Sequence, residues 1–226
     1  MSTSRDRVRQ ALSHQGSDRI PVDFGATAVT GIHCRVVEAL RKHYGLSYKP
    51  VKIVDTFQML GEVDRDLADA MGVDCIGVGG TRDIFDHDTE CMHEQVTPWG
   101  QKVLVPIQLD LTQDKEGDVY VYAGGDKNYP PSAVMPNGCF FINAIERQQP
   151  IDEDKLNPMD NLEEFNSITD EELDAYKKKV NEASATGRAV VASFGGTALG
   201  DVAFVPGMGL KEPKGIRSVV EWYKST

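Results

Sequence analysis

Apolar positions recur along this chain with two periods. Behind a capping Thr3, with Asp6 three residues on, Val8, Ala11 and Leu12 form one face and predict a helix over 4–15. Ile20, Val22 and Phe24 alternate with Pro21 and Asp23, so 19–25 reads as a short core-facing strand with Pro21 near its start or on an edge. Helical spacing returns over 31–44, with Ile32, Val36, Val37 and Leu40 inward and Gly45 as the stop. It returns again over 55–71, with Leu60, Val63, Leu67 and Met71 inward and Gly72 as the stop. A second strand follows at 73–78. The runs 101–108 and 118–123 flank a polar turn and predict an antiparallel hairpin, set in a β insertion at about 95–145. Cys139–Ile142 is a candidate short strand. Thr169 caps a helix carrying Leu173, Tyr176 and Val180, and 188–194 is a third core strand. Ile216, Val219, Val220 and Tyr223 share the face of a last helix that no Gly, Asn or Pro closes, so the chain is expected to be the front part of a longer protein.

Strands alternating with helices across long connections imply a parallel α/β sheet, with chemistry in the loops that follow the strands. Those loops are 25–31, 79–82 and 195–201. Three such strands cannot close a barrel, so an open edge should leave Ile76, Val78, Val190 and Val191 incompletely covered. Composition changes little: 40% hydrophobic and 26% charged residues are ordinary for a globular chain. The formal charge of −11 disfavours nucleic acid and anionic membrane as partners. Four widely spaced cysteines, a polar start and no long apolar stretch point to a cytoplasmic protein with free thiols.

Motifs with nucleotide chemistry fail on inspection. Gly195 to Gly200 has the glycine spacing of a phosphate loop, but Asp201-Val202 stands where Lys-Ser/Thr must follow, and a carboxylate repels phosphate. Gly77-Val78-Gly79 lacks the third glycine of a dinucleotide fingerprint, since Arg82 occupies it. The ligand-dense run Asp86–His93 matches no structural zinc spacing and reads as a solvated loop rather than a metal site. Asp152-Glu153-Asp154 lacks the calcium-loop glycine and terminal glutamate and reads as solvated surface. His33 opens the helix after the first strand, where an imidazole can face a substrate or be satisfied by backbone. Asp23 is either an inward polar residue at the mouth of a barrel or a structural acceptor.

Several blocks resemble one family. Arg5-Asp-Arg-Val-Arg-Gln-Ala-Leu12 with Asp18-Arg-Ile-Pro-Val-Asp-Phe-Gly-Ala-Thr27, then Asp55-Thr-Phe-Gln-Met-Leu-Gly-Glu-Val-Asp64, then Ala192-Ser-Phe-Gly-Gly-Thr-Ala-Leu-Gly200, resemble the N-terminal part of the uroporphyrinogen decarboxylase superfamily. They are most like its corrinoid-dependent methyltransferase branch. The resemblance implies an eight-stranded β/α barrel of which this chain holds about the first three strands. It implies a full-length methyltransferase using a methylated corrinoid protein as partner and co-substrate, a small-molecule methyl donor or acceptor, and zinc held by residues beyond Thr226.

Two departures bear on activity. Decarboxylases of the superfamily carry arginines after the first strand that bind substrate carboxylates, whereas here Asp23-Phe-Gly-Ala-Thr-Ala28 contains none. They carry a catalytic Asp at the end of the second strand, whereas here it ends Ile76-Gly-Val-Gly-Gly80. Decarboxylation is therefore the alternative reading, and a non-catalytic ligand-binding or assembly domain is a third. No zinc ligand and no catalytic residue can be carried over. The substrate-binding candidates are Asp23, His33, Gly195, Gly196 and Thr197, and residues 1–226 alone are expected to be inactive.

Overall fold

The computed structural model describes residues 2–165, 167–194 and 202–225. In chain order its helices and strands are α1 (Ser4–Leu12), β1 (Ile32–His33), α2 (Cys34–His43), β2 (Val51–Asp55), β3 (Leu60–Gly61), α3 (Arg65–Met71), β4 (Cys75–Val78), β5 (Met92–Val96), β6 (Lys102–Pro106), β7 (Val119–Val121), β8 (Ala133–Met135), β9 (Asn143–Ala144), α4 (Asp170–Ser184), β10 (Ala189–Ala192) and α5 (Val219–Ser225). The fold is mixed α/β, and the described residues form sheets but no closed barrel. The chain divides into two compact units. The first draws on Met1–Asp55, Met59–Thr81 and Ile168–Gly195, the second on Thr56–Gln58, Arg82–Ser167 and Gly196–Thr226.

In the first unit β4 and β10 pair in parallel, Cys75 opposite Ala189 through Val78 opposite Ala192, as their β-branched runs and the intervening chain predict. Ile76, Val190 and Val191 are half-buried, while Val78 is buried. α4 begins with a full capping box: the Thr169 hydroxyl accepts from Glu172 N and the Glu172 carboxylate from Thr169 N. Its covered positions include Ala175, Tyr176, Lys179, Val180 and Ala183, while Leu173 is exposed.

The residues 19–25 do not form a strand. Asp74 N donates to Val22 O, but the return bond runs from Val22 N to the Asp74 carboxylate at 2.9 Å rather than to a carbonyl. The same carboxylate takes Arg19 at 2.6 Å and Arg7 at 3.1 Å. A side chain has replaced the ladder, and Ile20 and Phe24 are exposed instead of facing a core. α1 is likewise held by polar anchors, Arg7 on Asp18 and Asp74 and Arg5 on Ser184 O, which leaves Ala11 and Leu12 exposed.

The helix expected over 55–71 is limited to α3. Val51 and Ile53 alternate inward in β2, β3 pairs antiparallel with both β1 and β2, and Met59 at φ +53° is left-handed, which no helix interior accommodates. Asp64 then caps α3 by accepting from Leu67 N, and Gly72 closes it at φ +66°. α2 buries Cys34, Val37 and Arg41, so its covered face is turned away from Val36. Arg41 donates there from its two terminal nitrogens to Asp64, Asp66 and Ser47 O.

The second unit is antiparallel. The runs 101–108 and 118–123, expected to pair as a hairpin, do not pair with each other. β6 pairs with β5 across a turn closed by Thr97 N on Gln101 O, and β7 pairs with β8, which pairs with β9. The polar look of His93-Glu94-Gln95 conceals a strand that exposes part of both faces. The Cys139–Ile142 strand is displaced to β9. Phe85, Val103, Val105, Leu109, Val119, Val121, Met135 and Ile142 are buried here. The last helix starts at Val219 rather than near Ile216, and Gln148 Oε1 takes the amides of Arg217 and Ser218 just before it; Val220 and Tyr223 are exposed.

Candidate functional site

The C-terminal ends of β4 and β10 lie side by side, where the loop after β4 was expected to carry chemistry. Ser193 N donates to Val78 O at 2.8 Å and extends the pairing past Ala192. From α4, Tyr176 Oη donates to Ser193 O and its ring stands 5.0 Å from that of Phe194. One helical turn on, Lys179 Nζ donates to Gly80 O at 3.0 Å. Tyr176 and Lys179 carry no sequence motif. The only signal for them is their i, i+3 spacing on the face that packs against the strands.

Asp23 sits in the loop before α2, and both its carboxylate oxygens are engaged. One accepts from Ala26 N at 3.2 Å, the other from the Thr30 hydroxyl at 3.2 Å, while Gly25 N closes the loop on Thr30 O at 2.8 Å. Gly25 at φ +86° permits the turn. The Ala26 carbonyl then lies so close to β4 that a Cβ on Gly77 would stand 1.9 Å from it. Asp23 therefore shapes the loop that lies against β4.

His33 is the N-cap of α2, where its Nδ1 accepts from Arg35 N at 3.3 Å. Cys34 Sγ stands 4.0 Å from the same Nδ1. Burial pushes the Cys34 thiol up to about 12, so it is protonated at neutral pH and forms no thiolate–imidazolium pair. Burial, then the charges of Asp23 and Asp74, also raise the Cys75 thiol. Neither thiol is primed as a nucleophile. Gly195, Gly196 and Thr197 lie outside the described residues.

The ligand-dense run 86–93 is not uniformly solvated. His87 is fully buried and lies against Asp83, whereas Asp86 is exposed. His93 lies in β5 near Gln95 and Leu109 O. Among the described residues no group of three His, Cys, Asp or Glu side chains converges to hold a metal ion. None of their helices is long and apolar enough to cross a membrane. No disulfide joins the four cysteines, all of them described.

Comparison with family models, curated proteins and solved structures finds no match to this chain.

Proposed function

We propose that this chain is the front part of a β/α-barrel enzyme of the uroporphyrinogen decarboxylase type, acting as a zinc-dependent methyltransferase with a methylated corrinoid protein. The observation that supports the reading most is the parallel register of β4 and β10, with residues 20–26 running beside β4. In such a barrel β4 and β10 would be the second and third strands, with 20–24 in the place of the first. The 23–30 loop offers substrate no arginine, and the thiols of buried Cys34 and half-buried Cys75 are both raised and protonated, so the reacting thiolate and its zinc would be supplied from outside these residues.

One observation favours the non-catalytic alternative. Asp23 and the Nδ1 of His33 both serve their own turns, which suits a domain that presents a surface rather than a reaction centre. The test expresses the protein through its natural reading frame and measures zinc content, demethylation of a methylated corrinoid with a thiol acceptor, and uroporphyrinogen decarboxylation. Bound zinc with methyl transfer and no decarboxylation supports the proposal. Decarboxylation at an enzymatic rate overturns it in favour of the carboxy-lyase, and neither activity favours the non-catalytic reading.

A further inference from the structure

The pairing of β4 with β10 stops one bond short of where its register leads. Ala189 N donates to Asp74 O and Ser193 N to Val78 O, the spacing of a parallel ladder. The next rung would be Gly80 N on Ser193 O. It is not formed, and Ser193 O takes the Tyr176 hydroxyl of α4 at 3.1 Å instead. From the next turn of α4, Lys179 Nζ donates to Gly80 O at 3.0 Å and reaches Gly79 O at 3.5 Å.

These contacts fix which way the donors of the loop face. No peptide among the described residues is cis, and in a trans peptide the C=O and N–H point in opposite directions. The plane that carries Gly79 O also carries Gly80 N, and the plane of Gly80 O carries Thr81 N. With both carbonyls turned to one ammonium, both amides turn away from it. Among the described residues no group accepts from Gly80 N or Thr81 N. Gly80 is exposed and Thr81 half-buried, and a Cβ on Gly79 would meet nothing within 4 Å, so the loop is open to approach.

We infer that Gly80 N and Thr81 N form a binding site for an anion with two oxygens on one centre, a carboxylate or a phosphoryl group, and that Tyr176 and Lys179 keep it open. Successive backbone N–H groups make anion cradles, and the C-terminal ends of parallel strands are where α/β folds receive ligands. The ammonium behind the carbonyls polarises each peptide, so its N–H becomes a stronger donor. It also offsets locally the repulsion that a net charge of −11 exerts on an anion. Tyr176 acts by occupying Ser193 O, which would otherwise take Gly80 N. Neither side chain touches the anion, so both are positioning residues. The site requires neither zinc nor corrinoid, and it stands or falls apart from the activity of the whole protein.

The test titrates the 15N-labelled full chain with inorganic phosphate and, separately, with acetate at constant ionic strength. The Gly80 and Thr81 amide protons should move downfield together and saturate with at least one of the two, and the anion that saturates them assigns the ligand as phosphoryl or carboxylate. Amides that stay still, or that drift without saturating in step with the exposed Lys177 and Lys178, would overturn the site. Saturation read at the Lys179 ammonium with both amides still would overturn it in favour of direct capture by the lysine. Tyr176→Phe then frees Ser193 O. Gly80 N should close the ladder and gain exchange protection, and the anion should bind about tenfold more weakly. Unchanged affinity with Gly80 N still unprotected would refute the part given to Tyr176. The substitution removes one hydroxyl and keeps the ring that stands 5.0 Å from Phe194, so the fold is retained.

Discussion

At the scale of single residues, two positions carry more than their size suggests. Gly77 is required by contact rather than by backbone angle, since a methyl group there meets the Ala26 carbonyl at 1.9 Å, and that backbone is tied down by Asp23 and Thr30. Gly77→Ala must move the loop or the strand, at a cost of about 1–3 kcal/mol or more. A urea midpoint that barely moves would show the loop to be slack. Asp74 is the second position. Its side chain is 0% exposed and joins Arg7, Arg19 and Val22 N. Asp74→Ala takes this anion from Arg19 and leaves Arg7 with Asp18 alone, and breaking a buried pair costs about 3–5 kcal/mol. Because Arg19 is 39% exposed and can turn to water, the loss should fall at the lower end of that range. Arg19→Ala alone should cost distinctly less than Asp74→Ala in the same urea titration.

Elements were legible in the sequence where a local chemical signal marked their ends. Thr169 marked the start of α4, and Gly72 marked the end of α3. Replacing Thr169 by Ala removes the capping box and should cost about 1 kcal/mol, read as a lower thermal midpoint with helical content otherwise retained. No change would mean that packing of Tyr176 and Ala183 alone sets the helix. Periodicity without such signals misled. Leu60, Val63 and Leu67 have helical spacing, yet Leu60 is buried in β3 and only Leu67 in α3, because the left-handed Met59 and the cap at Asp64 divide the segment. The strand reading of Ile20, Val22 and Phe24 failed for a reason that no window of sequence contains. The group that replaces its ladder partner is the Asp74 carboxylate, about fifty residues away. The candidate site was legible to the same degree. The place of His33 at the start of α2 could be read, whereas Asp23, read as a strand residue, lies in a loop, and the hydrogen-bond partners of neither could be read. His87, set among exposed carboxylates, gave no sign of being buried.

For the whole molecule, charge works in opposite directions at different depths. A net charge of −11 at pH 7 makes the folded chain repel itself, and mild acidification relieves that. Four carboxyls act the other way. Arg41 holds Asp66 far below the carboxylate range, and Lys127 holds Asp110 at about 2. Burial works to raise Asp74 and Asp83, but their donors still leave both lowered. A depressed carboxyl contributes stability above its unfolded value, about 3.9, and loses it as pH falls through the folded value. Repulsion among exposed charges amounts to tenths of a kcal/mol per pair and is screened by salt, whereas losing a buried partner costs several. The buried carboxyls should therefore win below about pH 4. Stability should change little from pH 7 to about 5 and then fall steeply toward pH 2–3. Asp66 and Asp74 belong to the first unit and Asp83 and Asp110 to the second, so amide signals of Val78 and of Val121 should both lose protection in acid. In 1 M salt the gentle part of the profile should flatten. The steep part should remain, because Asp74 and Asp83 are 0% and 5% exposed and beyond the reach of screening. A steep acid limb that disappears in salt would place its origin in the surface pairs instead.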